Sequence, residues 1–499
     1  MQSEQAAPQN IDSRSNGGKL EGNALSPGAI IFIVLAFAAP ISVVVGSMPL
    51  AFAYGNGVGV PGTYLIAAIV LLCFVAGYAA MSRHVVNAGA FFAYITRGLG
   101  RRPGGAAAYV ALLAYGCLTI ALGVTFGYFA FQVVQQIFHF DLNWWVYSAA
   151  VVAIVGFLGY RSVDVAAKVL KTALILEVAI IGVFDVGVLV KMGASAFSLS
   201  AFSPSHIFSG QIGVGFVYCF LSYIGIEATA IFGEEARNPG RTIPRASYGA
   251  VILIGAVYVL SSWALLAAYG ASHVQKAAAS APSTFAFGAA FTVLGKYPTD
   301  VMEILLVSSF FAVVLAAHNS TSRYMFSMGR ARLLPAAVGR SHARWHSPAL
   351  ASVCMTTIAA ITVAAVEFAG SDPYLSFGGP ILALGTVGIL ALQAAASVAV
   401  FVFFRRIGDR RIWTTIVAPL LAAAGLITVI VLILENYGMV TGTQSAVLNN
   451  LPWIIVAAAV FGLGVVTYLK SRKPGAFEHL TDDGAEPEPV LDATPQVAD

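Results

Sequence analysis

The sequence predicts an all-α membrane protein of twelve transmembrane helices, and three observations lead there. The chain has 499 residues, of which 58% are hydrophobic and only 10% charged. A soluble domain carries about a quarter charged residues, so a water-facing surface could not be covered. Apolar runs of roughly 20 residues, the length a helix needs to cross hydrocarbon about 30 Å thick, recur along most of the chain. The cationic residues gather in alternate connecting segments. Helices are required because backbone polar groups in lipid must be satisfied within their own segment.

The elements follow in order. Residues 1–25 are polar and Gly/Asn/Ser-rich, without a cleavable signal peptide, and read as a disordered tail. Apolar runs lie near 27–54, 60–81, 104–138, 145–160, 164–190, 209–232, 245–270, 299–318, 348–368, 376–404, 413–435 and 452–469, within a transmembrane domain of residues 26–471. Residues 472–499 form an acidic, Pro-containing tail with Asp482, Asp483, Glu486 and Glu488. With the N-terminus placed inside, the cytoplasmic segments hold 24 of the 27 Lys and Arg, leaving only Lys191, Lys276 and Lys296 on the other side. This is the positive-inside pattern, and it puts both termini in the cytoplasm of a multi-pass plasma-membrane protein. One miscounted span would scramble the pattern downstream. Trp144, Trp145, Trp413 and Trp453 fall at span ends, where interfacial aromatics belong. The four cysteines lie in apolar runs without CxxC spacing and read as packing residues. No Lys/Arg block suggests nucleic-acid binding.

Two spans carry break signals. The first contains Ala38-Ala39-Pro40-Ile41-Ser42, where Pro40 removes a backbone donor and clashes with the preceding turn. The sixth contains Leu221-Ser222-Tyr223-Ile224-Gly225-Ile226-Glu227, where Gly225 permits unusual backbone angles and Ser222 can satisfy a freed backbone group. An isolated Pro or Gly usually only kinks a membrane helix or lets a neighbour approach. Two breaks five helices apart fit two inverted five-helix repeats, spans 1–5 and 6–10, followed by spans 11 and 12. Spans 1 and 6 are then discontinuous.

The residues around the second break resemble a known family. Gly225-Ile226-Glu227, then Glu234-Glu235-Ala236-Arg237-Asn238-Pro239-Gly240-Arg241-Thr242-Ile243-Pro244-Arg245-Ala246, is similar to the sixth helix and following loop of amino acid–polyamine–organocation permeases. Asn87 to Tyr94 with Gly98-Leu99-Gly100, and Ser322 to Arg330 with Leu334-Pro335, resemble that family's loops after helices 2 and 8. The resemblance covers roughly residues 25–470. It implies a permease domain with a mid-membrane substrate site between broken helices 1 and 6, working by alternating access. The family's first break is typically Gly-Ser-Gly; Pro40-Ile41-Ser42 departs from it, which keeps amine substrates in play beside amino acids. Glu177 falls where many members of the family place a lysine that stands in for sodium.

The expected substrate site is Ala38, Ala39, Pro40, Ile41, Ser42, Leu221, Ser222, Tyr223, Ile224 and Gly225, with Tyr115 and Phe311 as cavity walls. Half-helix N-termini suit a carboxylate and freed carbonyls suit an ammonium group; Tyr223 offers an aromatic face to a cation. Ionisable residues within spans default to function. Glu177 is the first candidate for a coupling proton or Na⁺, or for pairing with a cationic substrate; Glu227 is the second, titrating or holding the break open. The structural alternative for Glu177 is a pair with Lys168 or Lys171 or a polar contact between helices. Asp185 ranks lower, and His318 reads as a hydrogen-bonded structural histidine. Glu234, Glu235, Arg237, Arg241 and Arg245 read as a cytoplasmic gate or hinge.

The functional expectation is a secondary transporter of amino acids or related amines, by proton-coupled symport. The alternatives are a polyamine- or ethanolamine-type amine permease, an exchanger, and a non-transporting sensor. HExxH, intramembrane Gly-x-Ser-x-Gly and P-loop patterns are lacking, so no enzyme, cofactor, metal or ATP-driven pump is expected. The expected partners are the small-molecule substrate, H⁺ or Na⁺, and the lipid bilayer, with the chain a monomer or homodimer.

Overall fold

A computed structural model describes residues 27–85, 89–161, 165–231, 236–441, 446–474 and 477. The two tails lie outside these residues, as do Asn87, Glu234 and Glu235. The described residues are helical almost throughout. Among the described residues, eleven helices are long and apolar enough to cross a membrane. They are span 1 (Gly28–Tyr54), span 2 (Gly57–Met81), span 3 (Arg101–Phe138), span 4 (Trp144–Arg161), span 5 (Thr172–Met192), span 7 (Pro239–Tyr269), span 8 (Lys296–Arg330), span 9 (Ala349–Phe368), span 10 (Pro373–Arg406), span 11 (Trp413–Glu435) and span 12 (Trp453–Arg472).

The remaining crossing is span 6, which is interrupted and forms no single long helix. Helix Ile212–Leu221 gives way to turns over 222–227 and resumes at Ala228–Ile231. The helices Val274–Ser280 and Phe285–Leu294 bend by 117° against each other. At about 1.5 Å per residue neither piece approaches the membrane's thickness, and Val274–Ser280 packs on the end of span 1. The pair is therefore a folded connection between spans 7 and 8.

In lipid, hydropathy does not distinguish a central helix from a peripheral one, but burial does. Two-thirds of the apolar window is buried in spans 1, 2, 3, 8 and 10, against 28% in spans 4 and 5 and 22% in span 12. Span 6 is buried along nearly all of Gly213–Phe220. The core is thus built from spans 1, 2, 3, 6, 7, 8 and 10, with the others outside. Span 1 packs with span 6, 2 with 7, 3 with 8 and 4 with 9. The amphipathic helix Phe91–Leu99 wedges against spans 3 and 10.

Candidate functional site

The two breaks are local consequences of sequence. A residue before proline is disfavoured in the right-handed helical region. Ala39 leaves it altogether, at φ 44° and ψ 69°, so the discontinuity falls one residue before Pro40. Five residues of π-helix, Val43–Ser47, follow before ordinary helix resumes. In span 6 Gly225 sits at φ 113°, a conformation side chains oppose. An added Cβ there would lie 2.6–2.8 Å from ring and Cβ atoms of Phe37, so the two broken spans touch exactly where they break open.

Several of the exposed backbone groups are closed by side chains. Tyr258 of span 7 donates to the Ala38 carbonyl at 2.7 Å. The Glu227 carboxylate accepts the Gly225 N–H at 3.1 and 3.2 Å and the Tyr115 hydroxyl at 3.0 Å. Tyr78 donates to the Glu227 carbonyl at 2.9 Å. Glu227 is wholly buried and therefore fastens the break in span 6 to span 3. Tyr78, Tyr115 and Tyr324 surround it, with Tyr115–Tyr324 centroids 5.3 Å apart, and Tyr94 packs on Tyr78 at 4.9 Å. Tyr223 does not present a free ring face. It donates to the Tyr64 carbonyl and packs within a trio with Tyr64 and Tyr258. Tyr64 and Ser222 share a 3.0 Å hydroxyl contact.

Between the breaks lies a cavity with 60 Å³ open to the centres of water-sized spheres. Of the expected substrate residues, Ala38, Ala39, Ser42, Leu221 and Ile224 line it; Pro40, Ile41, Ser222, Tyr223 and Gly225 form the breaks behind them. Phe310 lines the cavity and its neighbour Phe311 does not. Tyr115 lies one turn along span 3 from Leu118, the nearest of the lining residues Leu118, Leu122 and Thr125, and serves Glu227 instead. Sequence reasoning missed that face of span 3, and it missed Tyr374, Gly379 and Leu382 of span 10. Their signal is present as i, i+4, i+7 and i, i+3 spacings, but apolar periodicity also marks lipid-facing stripes.

The cavity borders a wider vestibule of 660 Å³ at the Tyr54 end of span 1, sharing Leu50, Tyr218 and Gly379 with it. Tyr374 stands at this boundary. Its hydroxyl donates to the Gly46 carbonyl at 2.7 Å, joining the π-helical start of span 10 to the π-helical stretch of span 1. Tyr374 also stacks on Tyr128 and meets Phe129 edge-on, while Phe129 stacks on Phe310.

Glu177 lies behind the first break at 2% exposure. Ser308 and Ser309 of span 8 and the Ile41 backbone amide face it. Even so, its Oε2 and the Ser309 hydroxyl make no hydrogen bond. The Lys168 and Lys171 side chains lie outside the described residues. Asp185 accepts from Ser261 at 3.0 Å. His318 pairs with Ser352 at 2.9 Å, tying span 8 to span 9. Arg237, Arg241 and Arg245 are exposed at the start of span 7.

Comparison with known proteins fits this geometry. Residues 29–377 match the amino acid permease family. The chain is 26% identical over 355 residues to the branched-chain amino acid permease BcaP of Lactococcus lactis, covering 68% of this chain and 75% of that one. It is 24% identical over 322 residues to the low-affinity putrescine importer PlaP of Escherichia coli, covering 61% and 67%. It is 25% identical over 267 residues to the serine/threonine exchanger SteT of Bacillus subtilis, covering 53% and 56%.

Proposed function

The chain belongs to the amino acid permease family, and from that premise we propose that it is a secondary active transporter of amino acids or related amines, working by alternating access. The observation that carries the reading is the cavity between the two helix breaks, at the centre of the bundle. Backbone at membrane depth may leave the helical state only where protein buries it or a cavity receives it, and here it does both. Spans 1–5 and 6–10 act as inverted repeats, as the packing of spans 1 to 4 on the spans five positions later supports. The side with the vestibule faces outward if the cationic loops lie inside. The tyrosines around Glu227 close the cytoplasmic side, and Arg237, Arg241 and Arg245 serve as a cytoplasmic latch or hinge.

Coupling is assigned to Glu177. A buried carboxyl group with an unpartnered oxygen, beside backbone that must rearrange during transport, is suited to carry a proton in and release it on the far side. Sodium is the second reading, favoured by the Ser308 and Ser309 hydroxyls that face the same carboxylate. The test is uptake of labelled amino acids and amines into proteoliposomes under imposed gradients. A pH gradient, inside alkaline, drives accumulation, and Glu177→Gln leaves exchange but removes the dependence on the gradient. Accumulation driven by Na⁺ alone moves the assignment to sodium. No response to either gradient across a broad panel refutes symport.

A further inference from the structure

The cavity's chemistry narrows the substrate class, given the transport reading above. None of the described residues lining it carries an acidic or basic side chain. Glu227 is turned away, with its carboxylate held by Gly225 and Tyr115, and Glu177 lies behind the break rather than on the wall. An isolated charge brought into such a space loses its hydration without a partner, and a diamine brings two. A zwitterion has no net charge, and its two ends match the partial charges of interrupted helices.

Two lining hydroxyls lack partners. Ser42 Oγ and Thr125 Oγ1 are buried and make no hydrogen bond, although both residues border the cavity, one on span 1 and the other on span 3. An unsatisfied buried hydroxyl is costly unless water or a ligand meets it. The rest of the wall, including Leu118, Leu122, Phe310, Val313 and Leu382, is apolar. The open space of about 60 Å³ exceeds the ~10–15 Å³ that a single water needs, and it admits a short side chain more readily than a long one.

We infer that this cavity selects a small neutral α-amino acid of about alanine's size, with Ser42 and Thr125 as polar contacts and Leu118 and Phe310 limiting the side chain. Diamines and amino acids with charged side chains are excluded.

The test is counterflow of labelled L-alanine into proteoliposomes of the full chain preloaded with unlabelled L-alanine, in competition with excess L-serine, L-leucine, L-lysine, L-glutamate and putrescine. Serine competes well, leucine several-fold more weakly, and the three charged compounds not at all. Leu118→Ala raises leucine uptake relative to alanine at least fivefold. Thr125→Val weakens alanine affinity about tenfold at an unchanged unfolding temperature. Lysine or putrescine exchanging as fast as alanine overturns the inference and leaves the transport reading standing. So does a folded Thr125→Val with unchanged affinity. Exchange of neither amino acids nor amines removes the transport reading itself, and the inference with it.

Discussion

Gly225→Ala tests the break in span 6 at the single residue that makes it. Two costs follow from the geometry. An L-residue at φ 113° occupies a region that costs of order 1–3 kcal/mol. Its Cβ would sit 2.6 Å from the Phe37 ring, and overpacking of this kind costs about 1–3 kcal/mol. Both costs are relieved by the same local shift, so they do not add in full, and about 3 kcal/mol of destabilisation is expected. The assay is thermal and denaturant unfolding of the purified protein in detergent. Gly249→Ala in span 7 is the control: its added methyl meets only Ile31, at 3.8 Å, and Ala is the better helix former by about 1 kcal/mol. Gly249→Ala should be neutral or stabilising, and Gly225→Ala clearly less stable, with impaired transport. A Gly225→Ala protein as stable and active as wild type would refute the positive-φ break and its contact with span 1.

Further predictions concern the groups that close the breaks. Tyr258→Phe leaves the Ala38 carbonyl without its donor and should cost about 1–3 kcal/mol, read as a lower unfolding midpoint; no change means water replaces the hydroxyl. Glu227→Ala removes the acceptor of both Gly225 N–H and Tyr115 O–H and should destabilise by roughly 2–4 kcal/mol for two stranded buried donors. Glu227→Gln, which keeps one acceptor oxygen, should lose clearly less, and equal losses would contradict this pairing. In the connections outside the spans, burial and then Arg411 hold the His84 imidazole below its usual 6.5, with Asp409 partly opposing them. As the pH falls below 6.5 the unfolded chain takes up this proton first, so the contribution of His84 to stability declines. His84→Gln should flatten that acid limb of the unfolding midpoint against pH; an unchanged slope assigns it to other groups.

The sequence made much of this architecture legible. The count of twelve rested on the apolar runs, tested by charge placement, and the run at 209–232 caught span 6, which is too interrupted to be recognised by helix length alone. Pro40 and Gly225 marked the breaks because few residues impose such backbone states; the structure moves the first discontinuity to Ala39 by the steric effect of the proline that follows. Glu177 and Glu227 stood out because acids are rare in apolar spans. The cavity wall was less legible. Leu118, Leu122, Phe310 and Leu382 are as apolar as residues that face lipid, so no local pattern tells the two apart, and Phe310 and Phe311 are indistinguishable until their helix is placed. Closure of the breaks by Tyr258, Tyr78 and Tyr374 was illegible for another reason: their hydroxyl partners are backbone carbonyls 149 to 328 residues away, and a backbone acceptor leaves no mark in sequence.

The central claim is that substrate is held between the two broken spans. It is tested most directly by a cryo-EM map of the full chain in nanodiscs with saturating L-alanine. The account predicts ligand density in the central cavity, bounded by Ser42, Thr125, Ile224 and Phe310. Density confined to the vestibule beside Gln211 and Gln275, with the central cavity empty, would contradict it.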